Sequence, residues 1–180
     1  MLSGVQPSGS LHLGNYLGAL RQWVELSKAN HHNECLFCVV DLHAITQPHT
    51  TQSRSSSSSS KQSSPTVREE TLRAAAIYLA AGVNVGKDSH NKIFVQSHVS
   101  AHSELMWILS CVTPINWLTR MTQFKDKTNL LNANMDQQDL DQRDQSQQQH
   151  QPGLGLLSYP ILMAADILLY DTDLVPVGAD

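Results

Sequence analysis

The sequence predicts an α/β protein with a doubly wound, mostly parallel sheet. Apolar runs of strand length alternate along the chain with segments of helical periodicity, as they do in repeated βαβ units. One such run, Leu36–Leu42, is apolar almost throughout, which is typical of a parallel strand that is covered on both faces. The chain also begins with a strand, a Gly-containing turn and the start of a helix, a local structure that can bind anions.

The first strand and helix are predicted near the amino terminus. Leu2–Val5 predicts a strand, which ends at Gln6-Pro7-Ser8-Gly9. An amphipathic helix is then predicted from Leu13 to Leu26, because its apolar residues recur at steps of four, three and four: Leu13, Leu17, Leu20 and Val24. The buried run Leu36–Leu42 supplies the second strand.

The middle of the chain predicts a second helix and a third strand. Thr66-Val67-Arg68-Glu69 forms a capping box, so a helix begins there and continues through Ala81, and Gly82 ends it. Lys92–Ser97 predicts the third strand. Two more helices are predicted, His98–Cys111 and Ile115–Phe124.

The last predicted elements are a helix and a fourth strand. A strongly apolar helix begins at Ser158 and extends to Tyr170, with Pro160 in the first turn, where proline is tolerated. The strand is Leu174–Val177.

Two low-complexity stretches interrupt this pattern, at about residues 47–65 and 132–152. The first is rich in Ser and the second in Gln and Asp. Neither carries enough apolar side chains to pack a core, so we expect both to be surface insertions in one domain.

Composition excludes several classes of protein. The net charge of −4 argues against an extended basic surface for nucleic acid but leaves room for a local basic patch. No apolar run approaches the roughly twenty residues that cross a bilayer, so no membrane partner is expected. Cys35 and Cys38 form a C-x-x-C, but in a strand they point to opposite faces, which favours buried structural thiols over a metal or redox site. We therefore expect no metal site in the protein.

Two polar residues are candidates for ligand binding. His43 follows the second strand, and open α/β sheets bind ligands at the carboxyl ends of their strands. A loop histidine bonded to the backbone is the alternative. Asp166 lies in an apolar helix, where a carboxylate is costly to bury without a donor. Its alternative partners are nearby backbone or an Arg. One face of this helix carries Tyr159, Met163, Asp166 and Ile167.

Three motifs occur in order along the chain. Residues 7–16 read PSGSLHLGNY, residues 120–127 read RMTQFKDK, and residues 158–170 read SYPILMAADILLY, followed by TDLVPVG. These strings resemble the tryptophanyl-tRNA synthetases of bacterial and organellar type, within the class I aminoacyl-tRNA synthetases. The resemblance implies that residues 1–180 are part of a Rossmann-like catalytic domain.

The resemblance also implies two adjoining binding sites. The implied ATP site consists of Gln6, Ser8, Gly9, His12, Gly14, Asn15, Lys127 and Asp180, among which His12, Asn15 and Lys127 are implied to be catalytic. The implied tryptophan site consists of Gly4, His43, Tyr159, Met163, Asp166, Ile167, Val175 and Val177. Asp166 would accept a hydrogen bond from the indole N–H. From the residues alone, Lys127 could equally belong to a solvated charged turn.

The implied reaction is ATP-dependent activation of tryptophan and its transfer to tRNA(Trp), with Mg²⁺ on the leaving pyrophosphate. Such a reaction depends on positioning and charge stabilisation rather than on a protein nucleophile. The complete enzyme is expected to be a homodimer. The alternatives are a fragment of a tyrosyl-tRNA synthetase and a non-catalytic nucleotide-binding remnant.

Parts of the family pattern are missing from the chain. The second class I signature, a Lys-Met-Ser-Lys-Ser-like loop, and the anticodon-binding helical domain are absent, and Ala179 stands where Glu is common. We therefore expect a soluble amino-terminal fragment with little activity of its own. Its location would be a mitochondrion or plastid if the gene is nuclear, and the cytoplasm otherwise.

Overall fold

The chain forms a parallel sheet with helices packed against it. The computed structural model describes residues 1–7, 20–29, 34–46, 65–87, 89–122, 124–125 and 153–176. The strands are β1 (Leu2–Val5), β2 (Cys35–Val39) and β3 (Asn91–Val95). The helices are α1 (Arg21–Ala29), α2 (Asp41–Ala44), α3 (Val67–Ala80), α4 (Ala101–Ser110), α5 (Ile115–Leu118) and α6 (Leu154–Leu168), and a 3₁₀ turn, Gln96–His98, follows β3.

The sheet has the strand order β1-β2-β3, and both pairs are parallel, as the sequence predicted. In this register Val5 lies beside Val39, and Val39 lies beside Val95. The three strands therefore end side by side. The next residues of each strand, from Gln6, Val40 and Gln96 onward, leave the sheet at one common edge.

One face of the sheet packs against α1 and α3. Alternate residues of β2 point to this face, and they form a buried cluster with side chains from both helices: Leu20, Trp23, Val24, Cys35, Phe37, Val39, Ala74, Tyr78 and Val83. The ring of Tyr78 lies 5.5 Å from that of Phe37 and 6.2 Å from that of Trp23. This cluster fixes which face of each strand is apolar.

The opposite face of the sheet packs against α4 and the end of α6. Phe94 of β3 stacks on His102 of α4 at 5.9 Å, and its ring lies 5.6 Å from that of Tyr170. Helices thus cover both faces of the sheet, which confirms the predicted fold class.

The prediction for α3 was accurate because its signals are local. Thr66 is the N-cap, its side chain accepts from the Glu69 N–H, and the Glu69 carboxylate accepts from the Thr66 N–H, which completes the capping box. Gly82 follows the helix with a φ of +102°, a conformation that glycine adopts without strain.

The predicted end of β2 was wrong. The strand stops at Val39 and not at Leu42, because the Asp41 carboxylate accepts from the Leu42 N–H at 3.1 Å and begins the short helix α2. After β3 the 3₁₀ turn Gln96–His98 likewise delays α4 to Ala101. Helix α5 ends at Leu118, earlier than predicted, and a turn follows it. The chain is helical again at Thr122, Phe124 and Lys125, so the prediction of helix up to Phe124 is confirmed in part.

Two predictions near the carboxyl end were also wrong. Helix α6 begins at Leu154 and not at Ser158, so Pro160 lies inside it. Proline there removes one helix hydrogen bond, and the added turn buries Leu156, which is 3% exposed. Residues 174–176 do not form the predicted strand. A single hydrogen bond, from Leu2 N–H to Leu174 C=O at 3.0 Å, joins this segment to β1.

Cys35 and Cys38 are both buried, as predicted for structural thiols. Burial raises the pKa of the Cys38 thiol, and the nearby Asp166 and Asp41 carboxylates raise it further, so the reactive thiolate is disfavoured. In the described part of the chain no helix is long and apolar enough to cross a membrane.

Some predicted features lie outside the described residues. They include the first part of the helix predicted for Leu13–Leu26, and both low-complexity stretches except Pro65 at the edge of the first.

Replacement of Thr66 by Ala should remove the N-cap of α3. Loss of this cap should lower the free energy of unfolding by about 1 kcal/mol, which corresponds to about 2–4 °C in the thermal midpoint for a protein of this size. Circular dichroism melting measures the change. Thr66→Ser keeps the acceptor and should leave the midpoint almost unchanged; equal losses in both variants would show that packing, not capping, matters here.

Candidate functional site

The Asp166 carboxylate is the centre of a buried polar cluster on the α4 side of the sheet. Asp166 is 7% exposed, although it carries a charge. Its oxygens contact side chains from three other elements: His43 of α2, Gln96 of the 3₁₀ turn and His102 of α4. The carboxylate thereby links α6 to the edge where the strands end.

His43 contacts the outer oxygen of this carboxylate. Its Nε2 lies 3.0 Å from Asp166 Oδ2, and its side chain is 14% exposed. The His43 ring also meets the ring of Tyr159 edge-on, at 6.3 Å. His43, Tyr159 and Asp166, which the sequence predicted as site residues, are thus brought together.

The backbone around His43 is fixed by side chains from both neighbouring strand ends. Gln6, which follows β1, donates to the His43 C=O at 3.0 Å. Asp41, at the start of α2, accepts from the Ser97 N–H at 3.0 Å and from the Ser97 hydroxyl at 2.6 Å. The position of His43 therefore follows from the alignment of all three strands.

Gln96 joins this turn to the carboxylate. Its side-chain Nε2 lies 2.9 Å from each oxygen of Asp166, and its Oε1 accepts from the Leu42 N–H at 3.2 Å. Gln96 is completely buried. One amide group thus sets the distance between α2 and α6.

His102 contacts the inner oxygen of the carboxylate. Its Nδ1 lies 2.7 Å from Asp166 Oδ1, and its Nε2 lies 2.9 Å from the Tyr170 hydroxyl. An ionised carboxylate only accepts hydrogen bonds, so the proton of this pair lies on Nδ1. His102 has no exposed surface, and Phe94 stacks on its ring.

These donors keep Asp166 ionised in spite of its burial. Burial raises the pKa of the carboxyl group, but the hydrogen bonds from His102, His43 and Gln96 outweigh burial and bring the pKa below its ordinary value. In the described residues no Lys or Arg forms an ion pair with it. The cluster is a strong hydrogen-bond acceptor surrounded by two imidazole rings and one amide group.

The other described residues of the predicted tryptophan site lie at the same edge or on α6. Gly4 is on β1 two residues before Gln6, and a Cβ at Gly4 would come within 3.1 Å of the Val40 side chain. Met163 is 43% exposed and Ile167 is half-buried. Val175 is 36% exposed in the segment that follows α6.

The remaining candidate residues lie outside the described part of the chain. From the predicted ATP site, only Gln6 is described. The candidates outside are Ser8, Gly9, His12, Gly14, Asn15, Lys127, Val177 and Asp180.

Sequence reasoning missed Gln96, His102 and Tyr170. Gln96 could have been found, because it follows β3 as His43 follows β2, and the rule about strand ends applies to both. His102 and Tyr170 gave no such signal. The partner of a single polar ring in a helix depends on how the helices pack, and the sequence around the ring does not reveal it.

The comparisons with known proteins decide the family. The family model described as tRNA synthetases class I (W and Y) matches residues 1–180. The chain belongs to this family. It is 51% identical over 180 residues to the tryptophan–tRNA ligase of a Synechocystis species, covering all of this chain and 43% of the relative. The corresponding ligase of Thermosynechococcus vestitus is also 51% identical, with 44% of its length covered. The chain thus spans under half of these curated relatives.

Solved structures of the family have the same fold. The tryptophanyl-tRNA synthetase of Campylobacter jejuni, complexed with ADP and tryptophan, matches with a TM-score of 0.69 and 33% identity, over 99% of this chain and 44% of that chain. The enzyme from Mycoplasma pneumoniae matches with a TM-score of 0.71 and 32% identity, over 98% and 41%. The class I catalytic fold is therefore shown for this chain.

Replacement of Asp166 by Asn should destabilise the protein and change its response to acid. An amide cannot accept from all three donors, so we expect a loss of about 2–3 kcal/mol near pH 7. Because the folded-state pKa of Asp166 is lowered, this carboxylate stabilises the fold above its unfolded-state pKa of about 3.9. That contribution disappears as the pH falls through the folded-state value.

Urea unfolding from pH 2 to 7 measures both effects. The difference in stability between wild type and Asp166→Asn should shrink toward the acid end of the range. Asp173→Asn, at an exposed carboxylate, is the matched control. It should change neither the stability near pH 7 nor its dependence on pH. A difference that stays constant with pH would contradict an ionised, hydrogen-bonded Asp166.

Proposed function

We propose that residues 1–180 form part of the catalytic domain of a tryptophan–tRNA ligase, which activates tryptophan with ATP and transfers it to tRNA(Trp). The observation that carries the proposal is the buried, ionised Asp166 beside His43 and Tyr159, in a chain that is 51% identical to a tryptophan–tRNA ligase. The Campylobacter jejuni relative in complex with ADP and tryptophan supports binding of an adenine nucleotide and of tryptophan.

The chemistry of the cluster fits an indole ring. Tryptophan differs from phenylalanine by carrying a ring N–H, which is a donor without an acceptor function. A buried carboxylate is its complement, and the aromatic edge of Tyr159 and the His43 ring offer flat apolar contact beside it. In the proposed pocket Asp166 accepts the indole N–H, and Gly4, Gln6, Met163, Ile167, Val175 and Val177 complete the walls.

The proposed ATP site adjoins this pocket through Gln6. Gln6 donates to the His43 carbonyl, and in the sequence it comes just before the segment that contains Ser8, Gly9, His12, Gly14 and Asn15. With Lys127 and Asp180, these residues are proposed to bind ATP, with His12, Asn15 and Lys127 acting on the phosphates. Magnesium would enter with the nucleotide as part of the substrate. In the described residues no group of three Asp, Glu, His or Cys side chains could hold a metal.

Tyrosine is the alternative amino acid, because its phenol O–H can also donate to a carboxylate. A tyrosyl-tRNA synthetase of Archaeoglobus fulgidus matches this chain with a TM-score of 0.58 but only 18% identity, which supports the fold alone. The much higher identity to tryptophan–tRNA ligases favours tryptophan. A non-catalytic nucleotide-binding remnant predicts nucleotide binding without amino-acid selectivity.

Amino-acid selectivity should separate these functions. In an exchange assay with ATP, radiolabelled pyrophosphate and the 180-residue chain, tryptophan should support slow label incorporation, and phenylalanine should support none above background. Calorimetric binding of the three aromatic amino acids gives the same ranking where turnover is slow. Asp166→Ala should lose tryptophan binding, while Asp173→Ala, at an exposed carboxylate, should keep it. A preference for tyrosine, or no preference, would contradict the proposed ligase.

A homodimer is part of the proposal, because α4, α5 and the turn between them expose an apolar patch. It consists of Trp107, Ile108, Val112, Ile115 and Trp117, which are 61–75% exposed. Exposed apolar patches of this kind mark protein interfaces, and an apolar patch can pack against its own copy around a two-fold axis. A second copy of the chain is therefore the proposed occupant.

A charge introduced into this patch should prevent dimerisation. Ile115→Glu should shift the protein to a monomer in sedimentation velocity, because a buried unpaired carboxylate opposes association. Leu72→Glu is the matched control, since Leu72 is 63% exposed on α3, outside the patch, and it should leave the assembly unchanged. A wild-type chain that is monomeric at high concentration would refute the proposed interface.

The proposed cellular location follows the genome that encodes the protein. Relatives from cyanobacteria support a cytoplasmic ligase in such an organism, and a plastid or mitochondrial one where the gene is nuclear. No membrane partner is proposed.

A further inference from the structure

The two oxygens of Asp166 differ in their surroundings. Oδ1 is contacted by His102, which is completely buried. Oδ2 is contacted by His43, whose side chain is 14% exposed and which meets Tyr159 of the proposed pocket. The oxygen that a substrate can reach is therefore Oδ2, whereas Oδ1 is bound by the buried side of the cluster.

The acceptor sites of this carboxylate are already well occupied. A carboxylate offers about four lone-pair directions. His102 and His43 use one each, and the Gln96 amide lies 2.9 Å from both oxygens. A ring N–H that enters the pocket must share Oδ2 or replace His43 there. The carboxylate can receive it only if it does not rotate when the His43 contact changes.

Gln96 and His102 restrain the carboxylate in two different ways. Gln96 contacts both oxygens at 2.9 Å, so it opposes a tilt that would carry either oxygen away from it. His102 contacts Oδ1 alone, so it opposes a turn of the carboxylate about its Cβ–Cγ bond. Gln96 is itself fixed, because its Oε1 accepts from the Leu42 N–H at 3.2 Å. His102 is fixed at its far side by the Tyr170 hydroxyl at 2.9 Å and by the ring of Phe94.

We propose that Gln96 and His102 are positioning residues that hold Asp166 Oδ2 toward the pocket as the acceptor for the substrate ring N–H. Neither residue touches the substrate. Both act through Asp166, and they set the preference for a ring that carries a donor. This inference rests on the proposed tryptophan pocket and adds the residues that determine its selectivity.

The test compares tryptophan with L-3-benzothienylalanine, in which a ring sulfur replaces the N–H. Calorimetry on the 180-residue chain should show that wild type prefers tryptophan. Gln96→Met keeps the length of the side chain but removes its donor, and it should reduce the tryptophan-to-analogue affinity ratio about ten- to a hundredfold. The ratio is the essential measurement, because a loosened pocket weakens both ligands alike and leaves the ratio in place.

Ser97→Ala is the matched control. Ser97 belongs to the same 3₁₀ turn and holds the same α2 helix through Asp41, but the structure shows no bond from it to Asp166. Ser97→Ala should therefore keep the wild-type ratio. If the ratio falls as far in Ser97→Ala as in Gln96→Met, the effect comes from the turn as a whole and the proposal is overturned.

A pair of His102 variants gives an independent measurement that does not depend on the folding of Gln96→Met. The amide of His102→Asn can take the place of Nδ1 and should keep most of the ratio. His102→Phe keeps a flat ring on Phe94 but has no donor, so it should lose most of the preference for tryptophan over the analogue. Circular dichroism confirms that each compared variant is folded.

The failures of the two proposals look different. A wild-type chain that binds both ligands equally, or neither, overturns the tryptophan pocket and this inference with it. A wild-type preference that persists in folded Gln96→Met and His102→Phe overturns this inference alone and leaves the pocket standing.

Discussion

The buried carboxylate of Asp166 imposes a demand on the rest of the fold. Removing an ion from water costs several kcal/mol in a real protein, and attraction to partners offsets this only where the geometry is good. Here the partners are His43, Gln96 and His102, one from each of three elements. Helix α6 can bury its polar side only where α2, the 3₁₀ turn and α4 converge, so the carboxylate determines how α6 docks.

This convergence depends on strand register, which the opposite face of the sheet determines. Phe37 and Val39 of β2 pack against Tyr78 of α3 and the rest of the buried cluster. Because these apolar residues alternate along β2, only one face of the strand can point toward α1 and α3. A slip of one residue between β2 and β3 would turn every side chain of a strand to the other face. Gln96 would then leave Asp166 without its bridging donor. The apolar face of the sheet thus specifies the polar site on the other face.

Local signals explain what the sequence predicted well. The parallel strands, the capping box at Thr66 and the stop at Gly82 each depend on a few neighbouring residues, and all are present. Errors arose where a distant contact decided the outcome. Pro160 suggested a helix start, but burial of Leu156 extends α6 backward past it. Asp41 lies within the predicted strand Leu36–Leu42, but its bonds to Leu42 and Ser97 begin a helical turn.

The candidate site shows the same division between local and distant information. His43 and Asp166 could be singled out because each breaks an apolar pattern in its own segment. Gln96 follows the rule for strand ends, but the predicted third strand, Lys92–Ser97, includes it and so hides its position. The link between His102 and Tyr170 joins residues 68 positions apart, and no spacing in the sequence encodes it.

Selectivity in the proposed pocket depends on whether the entering ring can donate to Asp166 Oδ2 in place of His43. An entering ring meets the same occupied carboxylate whether or not it carries a donor, so the cost of moving His43 is common to all ligands. That cost lowers affinity and cancels in a comparison between two ligands. What remains is the acceptor itself: a ring N–H satisfies Oδ2, whereas a ring without a donor leaves a buried charged oxygen short of a partner. A rigidly held acceptor makes this difference large, because a carboxylate free to rotate could find another donor and reduce the penalty for the wrong ligand.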